Sequence, residues 1–339
     1  MTGPVGPEYP GQPVQASYTA LVLGDVITAV QALVNNIETA IRGKHNEVRQ
    51  AVCCLLAEGH LLLDDVPGTG KTTLAKSIAQ SIDGNWKRVQ FTPDLLPSDI
   101  TGVMVYDQSN GQFRFREGPV FTNVLIGDEI NRGSPKTQSA LLEVMEERQV
   151  TTDGVSRPVP RPFFVIATQN PRDSQGTFPL PDVQLDRFAM RVTLGYTDRR
   201  TEIDLLDHYD RRRSDQAIST VLNAVELEQI IDTVDTIDVT SSISEYIVGI
   251  ATATRNHPDV RVGVSTRGCI ALMRISRAWA ATAERTFVTP DDVQDVARAV
   301  CAHRISLTPE ANMRGVQADD VIESILDTLA APRKRESSV

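Results

Sequence analysis

Asp65-Val66-Pro67-Gly68-Thr69-Gly70-Lys71-Thr72 follows the apolar run His60-Leu61-Leu62-Leu63 and leads into Thr73-Leu74-Ala75-Lys76. The order is strand, glycine-rich turn, helix, which is the setting a phosphate-binding loop requires. Backbone N–H groups of such a turn, with the positive end of the following helix, surround a phosphate group. Pro67, Gly68, Thr69, Gly70, Lys71, Thr72 and Thr73 form the candidate cradle. Lys71 would reach the β/γ oxygens of ATP and Thr72 would ligate Mg2+. The usual first glycine of GxxxxGK[ST] is Asp65 here. With Gly68 and Gly70 in place nearest the phosphates, that departure is expected to matter little.

Working outward, three further apolar runs read as buried parallel strands: Arg88-Val89-Gln90-Phe91, Val124-Leu125-Ile126 and Phe164-Val165-Ile166-Ala167. The second runs into Gly127-Asp128-Glu129, an apolar strand ending in two acids. Asp128 would hold Mg2+ through water, and Glu129 would orient or deprotonate the attacking water. The third ends at Asn170, placed to hydrogen bond the lytic water or the γ-phosphate. All three signals fall at one edge of the expected sheet, where open α/β sheets bind ligands.

Near residue 195 the pattern changes. Glu226–Val234, Ser242–Thr254, Thr266–Ala283 and Pro290–Val300 repeat at helical spacing, with Thr and Asp caps and Pro290 at a helix start. The fold class expected is α/β, a parallel-sheet P-loop domain over 20–195 followed by a small all-α lid over 196–331. Residues 1–19, rich in proline and glycine, and 332–339 are expected to be flexible tails. The length of 339 residues agrees with about two domains.

Composition narrows the function. The chain has 34 basic and 44 acidic residues, net −10, and 5% aromatics. A broad basic face or a base-stacking platform for nucleic acid is therefore not expected. Cys53, Cys54, Cys269 and Cys301 make no metal-ligand spacing, and His60, His208, His257 and His303 have no ligand partners in sequence. No run approaches the ~20 apolar residues of a membrane span, and no basic-then-apolar leader precedes residue 20. A soluble, cytoplasmic protein in a reducing compartment is expected.

The longer strings are more specific. Gly127-Asp128-Glu129-Ile130-Asn131-Arg132 continues as Pro135-Lys136-Thr137-Gln138-Ser139-Ala140-Leu141-Leu142-Glu143 and Met145-Glu146-Glu147-Arg148-Gln149-Val150-Thr151. Ala167-Thr168-Gln169-Asn170-Pro171 is followed by Gln175-Gly176-Thr177-Phe178-Pro179-Leu180-Pro181 and Gln184-Leu185-Asp186-Arg187-Phe188. Over roughly residues 34–331 the chain resembles the MoxR family of AAA+ ATPases. The resemblance implies that Asn170 is sensor 1. It makes Arg187 the arginine finger acting on a neighbouring subunit's nucleotide, with Arg132 a competing interface arginine. Gly263-Val264-Ser265-Thr266-Arg267-Gly268 resembles the sensor 2 motif, in which Ser265 would cap a helix whose first turn carries Arg267 toward the phosphates. The family more often has proline where Thr266 stands. Arg42-Gly43-Lys44 precedes a helix where related ATPases contact adenine, which makes Gly43 a candidate nucleotide contact.

Two hairpins complete the reading. Val103–Gln108 and Gln112–Arg116 flank Asn110-Gly111, and Gln149–Thr152 and Val155–Val159 flank Asp153-Gly154. In the first, Phe113 and Phe115 alternate with Arg114 and Arg116, so one face is expected to be apolar and the other basic. By resemblance these are the helix-2 insert and the pre-sensor-1 hairpin, which face a central pore or a partner. The resemblance implies a Mg2+-dependent ATP hydrolase working as a homo-oligomer, a hexameric ring in the family, and remodelling a client protein, often one with a von Willebrand factor A domain. A nucleic-acid motor or loader is the second class considered, disfavoured by the −10 charge. A metal-chelatase motor subunit is the third: it shares the hairpins but not the MoxR strings.

Overall fold

The structure, a computed structural model, describes residues 23–109, 111–170, 176–207 and 218–332. The expected tail at 1–19 and all but Pro332 of the expected tail at 332–339 lie outside those residues, as do Asn110, Pro171–Gln175 and His208. In chain order the first part runs α1 (Leu23–Ala40), α2 (His45–Leu56), β1 (Leu61–Asp64), α3 (Lys71–Gln80), β2 (Ile82–Asp83), β3 (Trp86–Gln90) and α4 (Pro97–Thr101). It continues with β4 (Gly102–Asp107), β5 (Gln112–Glu117), β6 (Val124–Asp128), α5 (Pro135–Glu147), β7 (Gln149–Thr152), β8 (Val155–Pro158), β9 (Phe164–Gln169), α6 (Asp182–Leu185) and β10 (Met190–Val192). The second part holds α7 (Arg199–Asp207), β11 (Leu222–Asn223), α8 (Ala224–Asp235), α9 (Ser241–Asn256), β12 (Val260–Val262), α10 (Thr266–Thr282), α11 (Pro290–Cys301), β13 (Ser306–Leu307), α12 (Pro309–Met313) and α13 (Ala318–Thr328).

The central sheet is parallel throughout, in the order β10-β1-β9-β6-β3. Its side chains alternate between two cores, as the two-residue period of a strand demands. Leu61, Leu63, Val124, Ile126, Phe164 and Ile166 join the core shared with α1, α2 and α3. Leu62, Leu125, Val165 and Ala167 point the other way, onto Leu141, Leu142, Val144 and Met145 of α5. Both faces are covered, which is why these strands read as continuous apolar runs. Ala140 of the same helix is only half-buried, whereas Leu142 is fully buried. The fifth strand, β10, is too short to read from periodicity; it pairs with β1 through Leu61 opposite Met190.

The lid is helical, as expected, with two additions: β11 pairs in parallel with β2, and β12 and β13 form a short antiparallel pair. Its helices start at the predicted caps. Thr240, Ser265 and Thr289 each accept the backbone N–H three residues on, and Asp292 completes a capping box behind Pro290. The lid shares the α1–α2 core: Leu272, Ile275, Trp279, Val293 and Val300 belong to the same buried cluster as Val48 and Leu55. Arg49 of α2 lies 3.6 Å over the Trp279 ring and donates to Thr282 Oγ1 at 2.6 Å. This docking sets where Arg267 can reach.

Candidate nucleotide site

The strands end together. Asp64, Asp128 and Gln169 close β1, β6 and β9 at one edge, and the loop after β1 lies across it. Gly68 and Gly70 adopt φ of +85° and +94°, a conformation glycine takes at little cost. Gly70 is the N-cap of α3, so Lys71 and Thr72 stand in its first turn. A cavity of about 390 Å3 opens here, lined by Pro67, Gly68, Gly70, Lys71, Thr72 and Thr73 on one side and by Asp128, Glu129 and Asn170 on the other. Thr69 turns its hydroxyl back onto the loop, donating to the Val66 carbonyl at 3.2 Å.

The polar contacts are specific. Lys71 Nζ donates to the carbonyls of Asp65 and Val66, the latter at 2.8 Å. Burial holds its ammonium below the usual lysine range, against the raising effect of Asp65, Asp64, Glu129 and Asp128. Asp128 is 2% exposed. Its Oδ1 accepts from Thr72 Oγ1 at 3.3 Å and from Thr168 Oγ1 at 3.2 Å, and its Oδ2 from Arg88 Nε at 2.6 Å. Thr168 also accepts the Glu129 N–H at 3.0 Å. That bond holds Glu129 at φ +55°, a backbone conformation that costs a non-glycine residue energy and that clusters at functional sites. Glu129 Oε2 accepts from Gln90 Nε2 at 3.0 Å and stands 3.3 Å from Arg132 Nε.

Thr72 Oγ1 and the Asp128 carboxylate are hard oxygen donors in contact with each other, the ligand type Mg2+ takes alongside water and phosphate oxygens. No group of three or more His, Cys, Asp or Glu among the described residues could hold a metal without other ligands. Thr72 and Asp128 fit a divalent metal that takes its remaining oxygen ligands from water or phosphate.

Not every candidate joins this cavity. Arg187 and Arg267 are absent from its lining. Both pair with Glu146 at the end of α5: Arg187 Nε is 3.0 Å from Oε2, and Arg267 Nη2 binds Oε1. Arg267, expected to be carried by α10 toward the phosphates, is placed on Glu146 and outside this cavity. The cause is lid docking. Asp186 accepts from Ser265 Oγ at 3.2 Å and from the buried Arg304 Nε at 2.9 Å, which draws the loop bearing Arg187 against the start of α10. Gly43, with φ +70°, lies in the turn between α1 and α2 close to Thr201 and does not line the cavity either. Its neighbour Ile41 approaches Gly70.

Four residues at the site were missed in the sequence. Arg88, Gln90 and Thr168 stand on strands, where an isolated polar residue resembles an ordinary surface position. The alternation Arg88, Gln90 at the end of an otherwise buried-type strand was the available signal. Asp65, read as a harmless departure, is buried and ties the loop together: Oδ1 accepts from Val66 N at 2.7 Å and Oδ2 from Gly195 N at 2.6 Å.

Both parts of the chain resemble known proteins. Residues 60–190 match the ATPase family associated with various cellular activities (AAA), and 252–325 match the AAA lid domain. Chaperone MoxR1 of Mycobacterium tuberculosis is 34% identical over 91% of this chain and 83% of its own length. Protein MoxR of Methylorubrum extorquens is 30% identical over 92% and 97%. The chain belongs to the MoxR family of AAA+ ATPases. The uncharacterized protein YeaC of Bacillus subtilis is 43% identical over 90% of this chain and 95% of its own length. A crystal structure of a Cytophaga hutchinsonii protein classed as an ATPase superposes with a TM-score of 0.85, at 33% identity, covering 92% of this chain and 97% of that one. The MoxR assignment thus extends across both sheet domain and lid, and it brings the nucleotide-binding chemistry of the AAA family with it.

Proposed function

We propose that this MoxR-family chain hydrolyses Mg2+-bound ATP and uses the turnover, in an oligomeric ring, to remodel or mature a client protein. The observation that carries the reading is the convergence of Lys71, Thr72, Asp128 and Glu129 on one cavity at the C-terminal edge of the parallel sheet. Lys71 would exchange its loop carbonyls for β/γ oxygens, and the N–H groups opening α3 would bind the phosphates. A bound Mg2+ would supply charge neutralisation and hold the β- and γ-phosphates in place. Glu129 would orient and deprotonate the attacking water, and Asn170, beside it on the rim, would hydrogen bond that water or the γ-phosphate.

The pairing of Arg187 and Arg267 on one carboxylate outside the cavity supports a shared role across a subunit interface, where the two guanidinium groups would meet a neighbouring γ-phosphate. That role makes the oligomer necessary, and a hexameric ring is the arrangement proposed. The name Chaperone MoxR1 borne by one relative supports a protein client; a client with a von Willebrand factor A domain and a cytoplasmic setting belong to the same proposal. Among the described residues no helix is long and apolar enough to cross a membrane.

Glu129→Gln tests the reading. The variant should bind ATP as the parent does and hydrolyse it at least about 100-fold more slowly, the usual scale for losing a general base. Unchanged hydrolysis would overturn the role of Glu129, and failure of the parent to bind ATP would overturn the site.

A further inference from the structure

One cation in the cavity is accounted for by neither the phosphate loop nor the two acids. Arg88 sits on β3 two residues before Gln90, hence on the same strand face. Gln90 holds Glu129, so that face addresses the end of the cavity where both acids stand. Arg88 Nε donates to Asp128 Oδ2 at 2.6 Å, on a carboxylate that is otherwise buried. The side chain is nonetheless 45% exposed and lines the cavity. A guanidinium carries five N–H donors in a rigid fork. Asp128 takes the one on Nε, and the two terminal NH2 groups make no hydrogen bond to any described residue.

We propose that Arg88 is a γ-phosphate ligand acting within its own chain, with Nε anchored on Asp128 and both terminal NH2 groups presented to phosphoryl oxygens. The inference rests on the ATP reading of the cavity and names a further residue for it. Two carboxylates stand where a triphosphate must bring its own negative charge, so a cation fixed between them and the phosphate lowers the electrostatic cost of approach. Anchorage matters as much as charge. A free surface arginine would lose its rotamer freedom on binding, whereas one already held by Asp128 has lost most of that freedom. The fork shape then allows the paired N–H contacts that arginine makes with phosphate. A lysine could keep the ion pair with Asp128 but would have no second arm to offer.

The test is nucleotide affinity, measured by isothermal titration calorimetry with ADP and with a non-hydrolysable ATP analogue, once in Mg2+ and once in EDTA. For Arg88→Ala and for Arg88→Lys, the ATP analogue should bind about tenfold or more weakly while ADP stays within about twofold, in both buffers. Arg88→Lys, which keeps the charge on Asp128, carries the test if Arg88→Ala fails to fold. Equal losses for the two nucleotides, a loss confined to the Mg2+ buffer, or no loss would each overturn the proposal, because Arg88 would then act only through Asp128 or not at all. A parent chain that binds neither nucleotide would instead overturn the ATP reading beneath it.

Discussion

His60 shows how one side chain can be read for both geometry and pH response. It is buried between the end of α5 and β9, where Val165 N donates to its Nδ1 at 3.1 Å and its Nε2 lies 3.1 Å from the Met145 carbonyl. Nδ1 is therefore an acceptor and the ring is neutral. Burial, and secondarily the charge of Arg148, push its pKa down to about 3. The unfolded chain, with an ordinary histidine pKa near 6.5, binds the proton that the folded chain refuses. Stability from this group is thus intact above about pH 6.5 and falls as pH drops toward 3, with a limiting slope of about 1.4 kcal/mol per pH unit. His303, also buried, is shifted in the same direction. Urea melts of the parent and of His60→Gln between pH 7 and pH 5 should show a shallower acid slope in the variant, although it starts from lower stability. Parallel slopes would mean His60 does not titrate as described. At this scale the candidate site residues on the loop and at the strand end were the legible ones: Lys71, Thr72, Asp128 and Glu129 stand out because strand, turn and acid pair follow a fixed local order. Arg88 was not legible, because what distinguishes it is contact with Asp128 on a neighbouring strand.

At the scale of elements the two hairpins differ from their sequence reading in an instructive way. Asp153 and Gly154, with φ of +51° and +75°, make the expected tight turn, and β7 pairs with β8 in the expected register. In β4–β5 the pairing sets Tyr106 against Phe113 and Met104 against Phe115, which gives the apolar face. The other face is mixed rather than basic, because Val103 lies opposite Arg116 and Val105 opposite Arg114. Sequence showed the alternation of one strand only; the partner strand decided what the second face contains. The hairpins also touch, with Arg157 of β8 4.2 Å over the Phe115 ring. Tyr106 and Phe113 remain 52% and 68% exposed, so they contribute little to folding. We propose that these rings engage the client. Replacing both with serine should leave the melting temperature within about 2 °C and basal ATP turnover within about twofold, while client remodelling is lost. A variant that still remodels its client would refute that use of the hairpin.

For the whole molecule the decisive event is lid docking. Arg49 against Trp279 fixes α10 on α2. Glu58, at the foot of β1, gathers Arg148, Arg161 and Arg274, which join the second hairpin's two ends to the lid. Glu146 gathers Arg187 and Arg267 beside them. If that arginine pair serves the next subunit, mixing Lys71→Ala chains with Arg187→Ala chains should recover part of the ATPase activity that each lacks alone, because some interfaces combine an intact loop with an intact finger. No recovery at any mixing ratio would place Arg187 outside the neighbour's site.

Local pattern was sufficient for the parallel sheet, the phosphate loop and the acid pair. Strand burial on both faces, helix caps and a glycine-lysine turn each leave a mark within a few residues of chain. It was insufficient for Arg88 beside Asp128, for the strap from Asp65 to Gly195, and for the turning of Arg267 away from its own cavity. Those depend on residues brought together across 40 to 130 positions of chain, by a core whose packing is set by total shape and burial and not by any one stretch of sequence.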